Sequence, residues 1–549
     1  MWKKLLITGC VTFSLLSGGT LSAQPSCEIK EEVTSEQLDR TQKELVAMMK
    51  ELKNDSYFQT ELDKAAVQSS LSKRMAAYKD LTVRLLSVLE IQAELEWMKP
   101  EAIQEALGIM KKSSGFDAVL ADKRFGELKS LLAGGFDGIY TGDAQAIDKA
   151  NKTLTLKRKL MLMSPDVNVD KMLTVKFDLG ERANFVGAGS LGIQPNNWSN
   201  LSSASRKNFK AQLVELSGLQ SGELSEKVLY KPAVDGSSVT DLVLNWDGKR
   251  LMFTALDTTR RWQVHELDIN NGEAKQVTNI PEPDLEFFDG TYLPDGRMLA
   301  ISNIGYQGVP CVNGSDAVGN MVLYDPSNGY LRRLTFDQDA NWHPVVMANG
   351  KVMYVRWEYT DLTHYFSRIV MHMNPDGTEQ KSLYGSGSMF PNSIFDVQPL
   401  PKHTNRFVGV ISGHHGVARS GRLMIFDPAK SRKEEKGMIQ ELPFRGRPII
   451  PEVKDELVNG VWPQFIKPYP LTDETFLVTA KLSPYSRWGI YLVDIYDNLT
   501  LVANADDAGM IYSVPVKSTP IPPAIPDRIK PNEKEATVFI QDVYEGEGL

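Results

Sequence analysis

The chain is 549 residues long, 42% hydrophobic and 24% charged, with a formal net charge of −8. That composition is ordinary for a folded soluble protein, and the length predicts two or three domains. No Lys/Arg-rich run stands out, so no nucleic-acid partner is expected.

Lys3 and Lys4 precede the apolar run LLITGCVTFSLL, and the small-residue segment TLSA follows. This order reads as a signal peptide over 1–23, cleaved after Ala23, and predicts a periplasmic or secreted protein. The alternative is a lipoprotein anchored at Cys10, which follows a small residue in LITGC. No later segment holds about 18 unbroken apolar residues, so no transmembrane segment is expected. Beyond the leader stand Cys27 and Cys311, and an oxidising compartment permits a disulfide between them. There is no CxxCH, so the chain carries no motif for attaching a c-type haem.

Residues 24–165 read as an α-helical domain. Leu38, Leu45 and Leu52 recur at heptad spacing. Leu71, Met75, Tyr78, Leu81, Leu85 and Leu89 form a second stripe, and Pro100 opens a fresh helix. A bundle packed on the neighbouring domain is the expectation.

From about residue 170 the pattern changes to short β runs broken by turns. DLVLNWDGKRLMFTAL, GTYLPDGRMLAISN, HPVVMANGKVMYVRW, FDVQPLPKHTNRFVGVIS and FIKPYPLTDETFLVTA each open a four-strand unit. Asp-Gly and Asn-Gly suit tight hairpins because they tolerate positive φ. Five units are clear at roughly 45–60 residue spacing, and residues 210–230 supply a sixth. The predicted fold is mainly β, a six-bladed β-propeller over 166–518 preceded by the α-helical N-terminal domain. Ring closure falls to 171–179 or to 536–544. Residues 519–549 read as a linker or strand leading toward a further domain.

Antiparallel blades put the loops after second and fourth strands on one face. That sorts Trp262, Cys311, Arg356, Trp357, Glu358, Asp361, His364, His414, His415, Arg419, Tyr485 and Arg487 into second-to-third-strand insertions. Asn341, Trp342 and His343, with Ser386, Ser388 and Asn392, fall into blade-to-blade loops. His403 is assigned to the opposite face, and His265 and His372 to third strands. The expected ligand-binding set is Trp342, His343, Arg356, Glu358, Asp361, His364, His414, His415 and Arg419, for a protein partner or a small molecule. No cofactor is expected. The alternative is a metal- or haem-assisted enzyme, with a metal ion on His414, His415, His364 and Cys311.

In SGHHG, neighbouring strand side chains point to opposite faces, so His414 and His415 share one ion only where Gly413 and Gly416 turn the backbone. Of the pair, His415 is the one expected to face a ligand. No GxSxG elbow and no HExxH is present, and Glu358 with Asp361 supplies the nearest pair of carboxylates. Binding is therefore the expectation, ahead of catalysis.

The motifs RRLTFDQDANWHPVV, VMYVRWEYTD, MNPDGTEQ, GSGSMFPNSIFD, SGHHGVARSGRLMIFDP, WGIYLVDIYDN and VFIQDVYEGEGL occur in that order. They resemble the hydrazine synthase alpha subunit-like proteins, exported propellers of planctomycetes and Bacteroidetes often described as TolB-like or WD40-like. The resemblance covers roughly residues 165–549 and implies a six-bladed propeller as the middle domain. It does not imply the catalytic role, because that subunit binds c-type haems and this chain lacks CxxCH. It also implies a further domain past Leu549, where the family continues. Relatives carry Cys-x-Cys where this chain has Cys311 alone, which argues against a cysteine-rich metal site.

Overall fold

The computed structural model describes residues 33–178, 198–207, 209–358, 368–413, 419–505 and 508–535. Among them, six α-helices precede the strands: α1 (Ser35–Met49), α2 (Ser56–Ala66), α3 (Leu71–Glu96), α4 (Pro100–Met110), α5 (Ala118–Leu132) and α6 (Ala144–Met161). Their starts follow capping chemistry. Thr34 and Gln37 form a reciprocal capping box, Asp143 accepts two backbone N–H groups of α6, and Pro100 occupies the first turn of α4. The heptad leucines Leu38, Leu45 and Leu52 are buried, as is the α3 stripe from Met75 to Leu89. Leu71 departs from that stripe. It opens α3 and is 39% exposed, before the packed face begins.

The strands run β1 (Lys171–Asp178), β2 (Lys210–Ser217), β3 (Ser225–Tyr230), β4 (Val239–Leu244), β5 (Arg250–Leu256), β6 (Trp262–Asp268) and β7 (Ala274–Gln276). Next come β8 (Phe287–Tyr292), β9 (Met298–Ser302), β10 (Asn320–Asp325), β11 (Tyr330–Arg333), β12 (Asn341–Val346), β13 (Val352–Trp357), β14 (Arg368–Met373) and β15 (Lys381–Tyr384). The last are β16 (Ser393–Pro399), β17 (Phe407–Ser412), β18 (Arg422–Phe426), β19 (Met438–Leu442), β20 (Gln464–Pro470), β21 (Thr475–Lys481), β22 (Gly489–Asp494), β23 (Leu499–Ala503) and β24 (Ala508–Pro515).

These strands pair in antiparallel sets of four, in the orders β4 to β7, β8 to β11, β12 to β15, β16 to β19 and β20 to β23. A single parallel bridge, Arg368 to Ser393, joins the β12 and β16 sets into one eight-stranded sheet. The remaining set, β24-β1-β2-β3, joins the two ends of the β region, with Met172 opposite Pro515 and Phe177 opposite Gly509. Of the two segments considered for closure, 171–178 is thus paired to 508–515, and 536–544 lies outside the described residues. The first strands β4, β8, β12, β16, β20 and β24 neighbour one another in that order, and β24 in turn neighbours β4.

Several residues read as loop are strand. Trp342 and His343 lie in β12, Arg356 and Trp357 end β13, and Trp262 opens β6. Pro344 is tolerated in β12 because the strand is bulged there and no ladder N–H is needed.

The helices cover the seam between the chain ends. Leu107, Phe125, Leu128 and Leu160 share one core with Met172, Val214, Leu492, Val502 and Met510. Polar contacts reinforce the same junction. Arg487 grips both carboxylate oxygens of Glu90 at 2.7 and 2.6 Å, and Lys157 donates to the carbonyls of Trp97 and Leu499 at 2.7 and 2.8 Å. At the other end, residues 516–535 cross the hairpin-turn side. Thr519 N–H donates to Trp246 O, Arg297 pairs with Asp527, and Arg528 N–H donates to Asp376.

Candidate functional site

The six first strands share one irregularity. Each carries a β-bulge, and each bulge holds a non-glycine residue at positive φ, between 50° and 71°: Asp241, Asp289, His343, Asp396, Lys467 and Tyr512. Bulges re-aim side chains, and positive φ is costly for residues with a Cβ. Here six such residues form one polar girdle.

The links of that girdle are short. Tyr512 Oη accepts the Asp241 N–H at 2.7 Å, and Asp241 Oδ2 accepts the Asp289 N–H at 2.9 Å. Asp289 Oδ2 accepts the His343 N–H at 2.6 Å, and Asp396 Oδ2 accepts the Lys467 N–H at 3.0 Å. The His343 ring stands between two carboxylates, Nδ1 3.3 Å from Asp289 Oδ2 and Nε2 3.3 Å from Asp396 Oδ1. Lys467 Nζ lies 2.8 Å from Asp396 Oδ1.

The charges respond to each other strongly in this low-dielectric setting. Burial works against the Asp289 carboxylate, yet His343 and Lys467 hold it at about 2. Asp396 is also held low against its burial, by Lys467 and His343. Burial and the neighbouring Asp289 charge raise Asp241. Burial opposes the Lys467 charge, and Asp396 more than restores it.

Arg419 caps the girdle. It is 4% exposed, its guanidinium lies 4.9 Å from the Trp342 ring centre and 5.0 Å from that of Phe395, and burial pushes it down to about 10. Arg419 and Trp342 Nε1 both donate to Ser199 O, so residues 198–204 lie against the cap. Asn200 and Leu201 of that segment, with Asp241, Asp289, His343, Arg419 and Lys467, line a cavity of about 20 Å³. That is room for one water-sized group.

Of the sequence-selected residues, the structure brings Trp342, His343 and Arg419 together here. Arg356 and Glu358 sit apart, with Arg356 Nε 3.2 Å from both Asp337 Oδ1 and Glu358 Oε2. Beside them Asp339 is 1% exposed with no hydrogen-bond partner on either oxygen among the described residues, and burial raises it to about 6. Asp361, His364, His414, His415 and Cys27 lie outside the described residues, as does the Cys311 side chain. Among the described residues no group of three or more His, Cys, Asp or Glu is placed to hold a metal ion. Asp241, Asp289, Asp396, Lys467 and Tyr512 were not singled out from sequence. The available signal was one polar or aromatic residue at the same place in VTDLVL, FFDGTY, NWHPVV, SIFDVQP, QFIKPYP and MIYSVP.

No family model and no curated protein matches the chain. Among solved structures it is similar to Kuenenia stuttgartiensis hydrazine synthase, at 14% identity and TM-score 0.48, over 67% of this chain and 49% of that one. It is also similar to TolB from Acinetobacter baumannii, at 10% identity and TM-score 0.40, over 66% and 72%. A chain of a nidogen/laminin complex matches at 11% identity and TM-score 0.37, over 63% and 99%. The chain spans about half the length of the hydrazine synthase chain it matches. At these identities no residue role passes from those proteins to this one.

Proposed function

We propose that this chain is an exported six-bladed β-propeller that binds a protein partner through its loop face. The cyclic order of the six first strands and the pairing of β24 with β1 support the ring. No helix among the described residues is long and apolar enough to cross a membrane, which is compatible with export.

One observation carries the binding role. Among the described residues, Tyr306, Phe336, Met389, Ile450 and Val453 are 60%, 73%, 55%, 68% and 42% exposed. All five lie in connections after second or fourth strands, in three consecutive blades, and so on the same face. On the opposite side, among the described residues, Tyr330 at the start of β11 and Ile521 of the segment that crosses the hairpin turns are the exposed large apolar side chains, at 49% and 65%. Single exposed apolar residues are ordinary, but a set shared by adjacent loops marks an interaction surface. Residues 198–204 lie over the girdle, so a partner meets the rim of the loop face.

A photo-crosslinking residue at position 336, compared with one at 330, tests this in the native host. The reading predicts one discrete adduct from position 336 that Tyr306→Asp abolishes, and none from 330. Equal labelling from both positions, or none from either, overturns it.

A further inference from the structure

We propose, resting on the partner-binding reading of the loop face, that the partner segment received there is basic, and that its docking point is an acidic, aromatic corner around Tyr306 and Phe336. Arg333 ties the two aromatics into one patch. Its guanidinium lies 4.7 Å from the Phe336 ring centre, and its Nη2 donates to Oε1 of Gln307, the neighbour of Tyr306, at 3.4 Å. Phe336 is still 73% exposed and Tyr306 60%, so each ring keeps a surface for a partner. Aromatic faces attract cations, and Phe336 already takes one in Arg333.

Charge selects the partner. Three connections form the corner: residues 277–286, 303–319 and 334–340. Together they contain six acidic residues and no Lys, Arg or His. Glu286 pairs with Arg206, and Asp337 with Arg356. The other four, Glu282, Asp284, Asp316 and Asp339, make no ion pair among the described residues. Arg261 donates to the Glu282 carbonyl, but its charge is matched by Asp257. Arg333 and Arg368, which lies near Asp339, are the remaining cations. Four against two leaves a surplus of negative charge. Burial and the charges of Glu282 and Asp284 raise the Tyr306 hydroxyl, so these acids act on the ring itself. Asp339 is 1% exposed, and neither oxygen accepts a hydrogen bond among the described residues. A buried carboxylate in that state is costly, and a cation docked over the corner lowers the cost.

The rest of the face is not acidic in the same way. Residues 443–463, which carry Ile450 and Val453, hold three basic and three acidic side chains. Apolar contact therefore extends along the rim, and charge is read at the Tyr306 end. The segment that fits has Lys or Arg alternating with apolar residues, its cations set over the two rings beside Glu282 and Asp284. A second copy of this chain, with a net charge of −8, is a poor occupant.

Two short fluorescent peptides, one alternating Lys with Leu and one alternating Glu with Leu, test this on the full chain. The Lys-Leu peptide should bind and the Glu-Leu peptide should not. The double variant Glu282→Lys/Asp284→Lys should weaken Lys-Leu binding about tenfold, and added salt should weaken it in wild type. Neither of those side chains makes a hydrogen bond among the described residues, so the variant keeps its fold. Phe336→Ser should weaken binding as well. Glu101→Lys/Glu127→Lys, on the exposed surface of α4 and α5, makes the same change in net charge and should leave the affinity unchanged. Binding of both peptides alike, binding of neither, no effect of Phe336→Ser, or an equal loss in the helical control overturns the proposal. The partner-binding reading fails separately, by the missing adduct at position 336. An adduct there that is lost in Glu282→Lys/Asp284→Lys and kept in Glu101→Lys/Glu127→Lys supports a basic partner. One that persists in both, or that joins two copies of this chain, overturns the basic partner alone.

Discussion

Asp396 holds Lys467 twice. Its Oδ2 accepts the lysine's own backbone N–H at 3.0 Å, and its Oδ1 lies 2.8 Å from the ammonium group. The first contact fixes the bulge of β20 against β16. The second neutralises a charge that neither side chain could carry alone in the ring.

Replacing Lys467 by Met therefore strands a carboxylate that is 2% exposed. Loss of one partner of a buried pair costs about 3–5 kcal/mol, and we expect a loss of that size in chemical denaturation. The pH dependence has a definite sign. Asp289 and Asp396 are both held low in the fold, so the stability they supply is complete above about pH 4 and drains as pH falls toward their folded values. For Asp289 that value is about 2. Wild type should thus lose stability steeply in acid. Lys467→Met should show a shallower acid slope, because its Asp396 is no longer favoured as an anion. An unchanged slope would show that the pair is not what holds Asp396 low.

The helices and the β24-β1-β2-β3 sheet share side chains in one core, so we expect one unfolding transition for both. Leu128 of α5 is fully buried against that core. Leu128→Ala should cost about 2–5 kcal/mol and shift helical circular dichroism and tryptophan fluorescence by the same amount. Two separated transitions would mean that the helical part folds on its own.

The repeat was legible in the sequence because its signals are local. Asn-Gly and Asp-Gly turns, period-two apolar runs and the Pro100 helix start each declare themselves within a few residues. The girdle was not legible, for a physical reason. A bulge is a property of strand pairing, and nothing in FFDGTY distinguishes an Asp that points along the strand from one re-aimed by a bulge. His343 was selected, but as a loop residue, and Lys467 lies in a segment read as an ordinary first strand. Arg419 was selected as a loop residue with a ligand in view. Its burial beneath residues 198–204 depends on a contact spanning more than two hundred positions.

That contact makes its own prediction. Trp342 Nε1 and Arg419 share the Ser199 carbonyl, and Asn200 is anchored separately to Ala317 O at 2.6 Å. Arg419→Ala removes one donor and the guanidinium stacked on Trp342 and Phe395. Hydrogen exchange at residues 198–204 should accelerate about tenfold, the loss of one charge-assisted hydrogen bond. Exchange in β20 to β23 should stay unchanged. Acceleration spread through all the sheets would place Arg419 in the global fold instead of in the cover over the girdle.

The last prediction concerns residues 516–535. Arg297 grips Asp527 through two nitrogens at 2.8 and 2.7 Å, and Gly350 lies so near the segment that an added Cβ would meet Pro523 O at 2.2 Å. Gly350 also has φ +81°, which disfavours any side chain. The segment presents Arg528, a trypsin site followed by Ile529, and its ion pairs are partly solvated. Partly exposed pairs contribute about 1 kcal/mol or less each, so Asp527→Ala should barely move the unfolding midpoint. It should, however, speed tryptic cleavage at Arg528 several-fold, because cleavage needs only local detachment. Gly350→Ala should speed the same cleavage and also lower the midpoint, since its strain falls on the β12–β13 turn as well. If Asp527→Ala leaves the cleavage rate unchanged, the ion pair is not what holds the segment down.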